Sequence, residues 1–212
     1  MWRAASDVAL AAHPESFQLD RQSNRIYVNV PKEQAIIVLD QASGHRIASW
    51  STGNGSNFPL ALNAAAGHVL VVLRNPAALV AFAASSGTAV AQVEPCGDAD
   101  DMFVDTRRRR VYVSCGDGFL DVFDANAYKL LERIPTVKRA RTSLFIPEID
   151  LLFVAARATA EAPAAVWAFR PRTMTVPSPG AFYALPASNN GFAPAFERSE
   201  RVMPDAFRAD AS

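Results

Sequence analysis

The chain has 212 residues, half of them hydrophobic, and its 21 basic and 21 acidic side chains leave a formal net charge of zero. That balance excludes the broad basic field of a nucleic-acid binder and the acidic field that gathers cationic partners, so no nucleic-acid partner is expected. No apolar run approaches the roughly 18 residues that cross a bilayer, and Asp7 interrupts the first dozen residues, which lack the apolar stretch of a secretory leader.

Residues 1–12 contain Ser6-Asp7-Val8-Ala9-Leu10, placed where the outer strand of a preceding unit would lie. From residue 13 one pattern recurs at intervals of 41 to 43 residues. The first copy reads Phe17-Gln18-Leu19-Asp20, Arg25-Ile26-Tyr27-Val28 and Ile36-Ile37-Val38-Leu39-Asp40, with Arg46-Ile47-Ala48-Ser49-Trp50 behind it. The second gives Leu60-Ala61-Leu62-Asn63, Val69-Leu70-Val71-Val72, Leu79-Val80-Ala81-Phe82 and Ala89 to Val93. The third gives Met102 to Asp105, Arg110 to Val113, Leu120 to Asp124 and Lys129 to Ile134. The fourth gives Leu144 to Pro147, Leu152 to Ala155 and Val166 to Phe169. Tyr27, Leu70, Tyr112 and Phe153 are equivalent, as are Asp20, Asn63, Asp105 and Pro147.

A period of about 40–45 residues, each holding several short strands, is the mark of a β-propeller blade. Asx and Gly residues punctuate the first and third turns, where side-chain bonding to backbone or positive φ is needed. The middle strands are apolar on both faces, which suits sheets packed between neighbours; the fourth strand alternates, which suits a half-wet outer edge. The chain therefore reads as an all-β propeller of four four-stranded blades, at 13–55, 56–94, 95–135 and 136–171. Residues 172–212 carry Pro177, Pro179, Pro186, Pro194 and Pro204 and break the period. They read as a disordered tail, or else as a strap whose aromatic residues dock on a blade face.

The second strand of each copy resembles the YVTN-type β-propeller family. Ile26-Tyr27-Val28-Asn29 and Val111-Tyr112-Val113-Ser114 match its motif closely; Leu70-Val71-Val72-Leu73 and Phe153-Val154-Ala155-Ala156 match more loosely. The resemblance spans Ala12 to Pro171 and implies a bacterial, exported protein of about seven blades. Four repeats point instead to an incomplete, open ring with apolar faces at both ends, open to self-association. Localisation is periplasmic or extracellular by that resemblance, and cytoplasmic if the chain is complete as it stands.

Residues just before each innermost strand should ring one mouth of the central channel. They are His13 and Glu15, then Asn57, then Asp98, Asp100 and Asp101, then Arg141 with Thr142. Carboxylate and amide oxygens suit a divalent cation such as Ca²⁺. The arrangement resembles gluconolactonase-type propellers, which hold a metal with acidic and amide groups from different blades. Arg141 suits an anion better. No catalytic residue is nominated, since no G-x-S-x-G elbow, zinc-spaced histidine pair or phosphate-cradling glycine loop occurs.

The run Arg107–Arg110 falls at a hairpin turn, where four solvated arginines make a wet loop. Cys96 and Cys115 fall at the start of one inner strand and the end of its hairpin partner, which lie side by side. A disulfide is within geometric reach and fits an exported chain; two buried free thiols fit a cytosolic one. The leading functional expectation is a non-enzymatic scaffold for a small molecule or a protein. A metal-dependent lactonase-like hydrolase and an accessory subunit of an electron-transfer system are the alternatives.

Overall fold

The computed structural model describes residues 7–172 and the backbone of residues 196–198. Blade one is the meander Phe17–Asp20 (β1), Arg25–Val30 (β2), Ala35–Asp40 (β3) and Arg46–Ser51 (β4). Its turns are built by aspartates. Asp20 accepts hydrogen bonds from the Ser23 hydroxyl and from the Gln22 and Ser23 backbone N–H groups, and Asp40 does the same with Ala42 and Ser43. The serine hydroxyl above all holds each carboxyl below the ordinary aspartate range.

Blade two comprises Asn57–Asn63 (β5), His68–Arg74 (β6), Ala77–Ala83 (β7) and Ala89–Val93 (β8). Blade three comprises Ala99–Asp105 (β9), Arg110–Cys115 (β10), Phe119–Asp124 (β11) and Leu130–Pro135 (β12). Blade four comprises Ser143–Ile146 (β13), Leu151–Ala156 (β14), Ala165–Pro171 (β15) and Phe196–Arg198 (β16). The repeat extends to backbone detail. The turn between the first two strands closes on a left-handed residue in every blade: Asn24, Gly67, Arg109 and Asp150. In the first three blades the third and fourth strands slip register at one equivalent place, after Val38, Ala81 and Val122, and such bulges sharpen strand twist.

Packing runs from each blade to the next. Tyr27, Ile36, Val38 and Trp50 of blade one bury against Leu60, Val69, Val71, Val80 and Phe82 of blade two. Leu70, Val72 and Leu79 then meet Met102, Val111, Val113 and Phe123 of blade three. On its other side blade three sets Tyr112, Leu120 and Val122 against Phe145, Leu152, Val154 and Phe169 of blade four. Each such fully buried side chain contributes about 2 kcal/mol of transfer free energy. Hydrogen bonds repeat the step: Ser16 Oγ donates to the Phe58 carbonyl at 2.7 Å, and Ser143 N–H donates to Asp101 Oδ2 at 2.6 Å, each pair 42 residues apart.

None of the four buried clusters joins blade four to blade one, so among the described residues the blades form an open arc. Residues 7–12 correct one expectation: they form no strand. Leu10 and Ala12 instead lie over the outer face of blade one, against Val28, Val30, Ala35, Ile37 and Leu39. The strand pairing of blade four corrects another. Part of the segment read as a disordered tail, Phe196–Arg198, is the blade's fourth strand, with Phe169 opposite Arg198 and Pro171 opposite Phe196. The rest of the tail, including Phe182, Tyr183, Phe192 and Phe207, lies outside the described residues.

Candidate functional site

The second residue after the motif tyrosine explains why the motif holds neighbouring blades. Asn29 is fully buried, and its amide donates to the Phe58 carbonyl of blade two at 3.0 Å. Ser114 takes the same place in blade three and bonds the Ser143 hydroxyl of blade four at 2.7 Å. These seams flank the end of each blade where the mouth residues were expected. There β5 begins opposite the end of β6, β9 opposite the end of β10, and β13 opposite the second half of β14.

At that end the expected residues divide into three groups. Asn57 belongs to the seam and not to a ligand site: it is fully buried, and its amide donates to Asn29 Oδ1 at 3.1 Å and to the Ala35 carbonyl at 3.2 Å. Asp101 is likewise turned to Ser143 N–H, and burial, with Asp100 beside it, pushes its carboxyl above the ordinary range. His13 and Glu15 are exposed, and only the Glu15 backbone is anchored, to the Asn29 carbonyl at 3.0 Å.

Asp98, Asp100 and Arg141 do come together. Arg141 Nη1 reaches Asp98 Oδ1 at 2.5 Å, and its Nε lies 3.6 Å from Asp100 Oδ2. Arg74, which sequence reasoning missed, completes the group from the end of β6. Its Nη2 pairs with Asp100, its Nε lies 3.6 Å from Asp98 and also donates to the Ala99 carbonyl at 2.6 Å, and its guanidinium stacks 3.6 Å from the Phe58 ring centre. Two carboxylates and two guanidinium groups thus alternate and cancel. A Cβ on Gly116 would collide with the Asp98 carboxylate, so this glycine gives the aspartate its seat.

Beside this quartet, between blades three and four, opens a cleft of about 470 Å³ lined by Asp98, Asp100, Arg139, Arg141, Thr142, Ala155 and Arg157. Arg139 and Arg157 were also missed. Arg139 sits in the connection between β12 and β13 with φ 66°, its backbone N–H bonded to the Gly116 carbonyl; Arg157 follows β14 directly. Among the described residues, no group of three or more His, Cys, Asp or Glu side chains is placed to hold a metal ion.

Two further expectations concern groups away from the cleft. Cys96 and Cys115 are joined by a disulfide, with Cα atoms 5.8 Å apart, inside blade three. The Arg107–Arg110 run is not four solvated arginines. Arg107 and Arg109 are exposed, but the Arg108 side chain is 6% exposed and bound to Asp105 and Asp150, and Arg110 is buried. No helix among the described residues is long and apolar enough to cross a membrane.

Comparison with solved structures finds similarity to hydrazine synthase of Kuenenia stuttgartiensis, with a TM-score of 0.67 at 10% sequence identity. The match covers 79% of this chain and 49% of that one, so the chain spans about half the length of the structure it matches. No protein-family model and no curated protein sequence matches. Four consecutive four-stranded antiparallel sheets, packed face to face and matched by this structure, give the chain a β-propeller fold.

Proposed function

We propose that the chain is a non-enzymatic propeller scaffold that binds a small ligand in the cleft between blades three and four. The supporting observation is the cleft itself, where polar side chains from separate strands converge on about 470 Å³, a volume within the range of ligand sites. The two carboxylates that could act as bases there, Asp98 and Asp100, are each engaged by Arg74 and Arg141, which favours binding over catalysis. A metal-assisted hydrolase is the weaker reading, because the carboxylates it would need are already held by Arg74 and Arg141. The similarity to hydrazine synthase concerns the fold and not the activity.

Membership of the YVTN-type family is part of the same proposal, supported by the seam-forming roles of Asn29 and Ser114. The disulfide supports a compartment outside the reducing cytosol, as in exported members of that family. The outer face of blade four, with Leu144 52% and Val166 61% exposed, supports self-association.

Filling the cleft tests the binding role. Ala155 is exposed on the cleft wall, so Ala155→Trp occupies the space while leaving every charge in place. Ligand-observed NMR against a library of small polar metabolites should show hits for the native protein that vanish in this variant. Hits that persist in Ala155→Trp would place binding elsewhere.

A further inference from the structure

The guanidinium groups of the cleft fall into two classes. Arg74 and Arg141 are committed to Asp98 and Asp100, in the closed alternation described above. Arg139 and Arg157 also line the cleft, yet neither guanidinium has an ion pair or hydrogen bond among the described residues. Two uncommitted forks therefore stand beside a quartet that is already neutral. The planar N–H pairs of such forks match the two-oxygen edge of a carboxylate or a phosphate. The rest of the lining has different chemistry. Asp98 and Asp100 keep acceptor lone pairs beyond those used by the guanidinium groups, and Thr142 adds a hydroxyl. These carboxylates repel a second acidic group and accept hydrogen bonds from hydroxyls.

We infer that the ligand is a small hydroxylated oxyanion, with its acidic end held by Arg139 and Arg157 and its hydroxyls turned to Asp98, Asp100 and Thr142. The inference rests on the cleft being the binding site, as proposed above. Carboxylate and phosphate share the recognition chemistry, so a hydroxy acid and a hydroxylated phosphate ester are the two sources to distinguish.

Isothermal titration at fixed ionic strength, with sodium chloride as the control, provides the test. Tartrate and glycerol phosphate represent the two sources, and succinate and inorganic phosphate are their counterparts without hydroxyls. The expected result is binding of tartrate or glycerol phosphate, with the tighter of the two naming the source and each hydroxyl-free counterpart weaker. Arg157→Ala and Arg139→Asn should each weaken that binding about tenfold or more, the loss typical of a hydrogen-bonded charge. Asparagine is chosen because it tolerates the left-handed backbone at position 139. Both residues are exposed, so circular dichroism should show the fold intact. Oxyanion binding that is lost in Ala155→Trp but unchanged in both arginine variants would overturn the inference and leave the cleft standing as a site. Oxyanion binding unchanged in Ala155→Trp would overturn the site itself. Absence of binding by all four probes would overturn the oxyanion class, whatever the metabolite library finds.

Discussion

The Arg108 guanidinium holds two carboxylates at once. It bonds Asp105 at 3.0 Å within its own blade and reaches both oxygens of Asp150 across the seam, at 2.7 and 2.6 Å. Asp105 also accepts the Tyr112 hydroxyl at 2.7 Å; burial, with Asp105 beside it, raises that phenol far above its ordinary range. The bond to Arg108 holds the Asp150 carboxyl below the ordinary aspartate range. Because the folded value lies below the unfolded one, the stabilisation is complete above the unfolded pKa of about 4 and is lost as pH falls through the folded value. Asp150→Asn should therefore cost about 2 kcal/mol near neutral pH. Urea unfolding across a pH series should show the gap between variant and native protein closing below about pH 4. A gap independent of pH would mean that Asp150 acts through packing alone. The cleft shows what the sequence conceals at this scale. Asp98, Asp100 and Arg141 were legible because each lies just before or at the start of an innermost strand. Arg74 and Arg157 sit at or just beyond the far ends of β6 and β14, and reach the same mouth only because a hairpin returns each strand to its partner's start. Asn57 was misplaced because spacing locates a residue at the mouth without saying which way its side chain turns.

Nearly every strand was legible, since hydrophobic period and turn chemistry agree in all four copies. The exception is Phe196–Arg198, which pairs with β15 across a long proline-bearing connection. Three residues are too few to show alternation, and their pairing depends on where blade four ends. The disulfide was legible because strand ends predict neighbours: Cys115 lies opposite Ala99 in the β9–β10 ladder, three residues from Cys96. It ties the approach to β9 to the end of β10, and both cysteines are buried. Closing a loop of this length removes chain entropy from the unfolded state worth about 3 kcal/mol. The double variant Cys96→Ala, Cys115→Ala should lose roughly that amount in denaturant unfolding, and reducing agent should destabilise the native chain similarly. Identical unfolding midpoints with and without reductant would show that the bridge does not form in the protein as made.

The two ends of the arc differ. Blade one carries residues 7–12 over its outer face, whereas blade four presents Leu144 and Val166 on its sheet face and Ile149 in its first turn, each at least half exposed. An apolar sheet face of this kind favours association of copies. Light scattering should find a mass that rises with concentration, and the pair Leu144→Lys, Val166→Glu should return it to the monomer. A native chain that stays monodisperse and monomeric would refute this. The seam bonds that step 42 residues at a time have a different consequence. Because, among the described residues, each blade couples to its sequence neighbours alone, the array resembles a zipper whose teeth open from the ends. Among the described residues, blades two and three are gripped on both sides and blade three is also stapled, blade one is gripped on one side and thinly covered, and blade four is gripped on one side. Amide exchange should accordingly be fastest in β14 and β15, slower in β2 and β3, and slowest in β6, β7, β10 and β11, so that fraying has a direction and starts at the C-terminal blade.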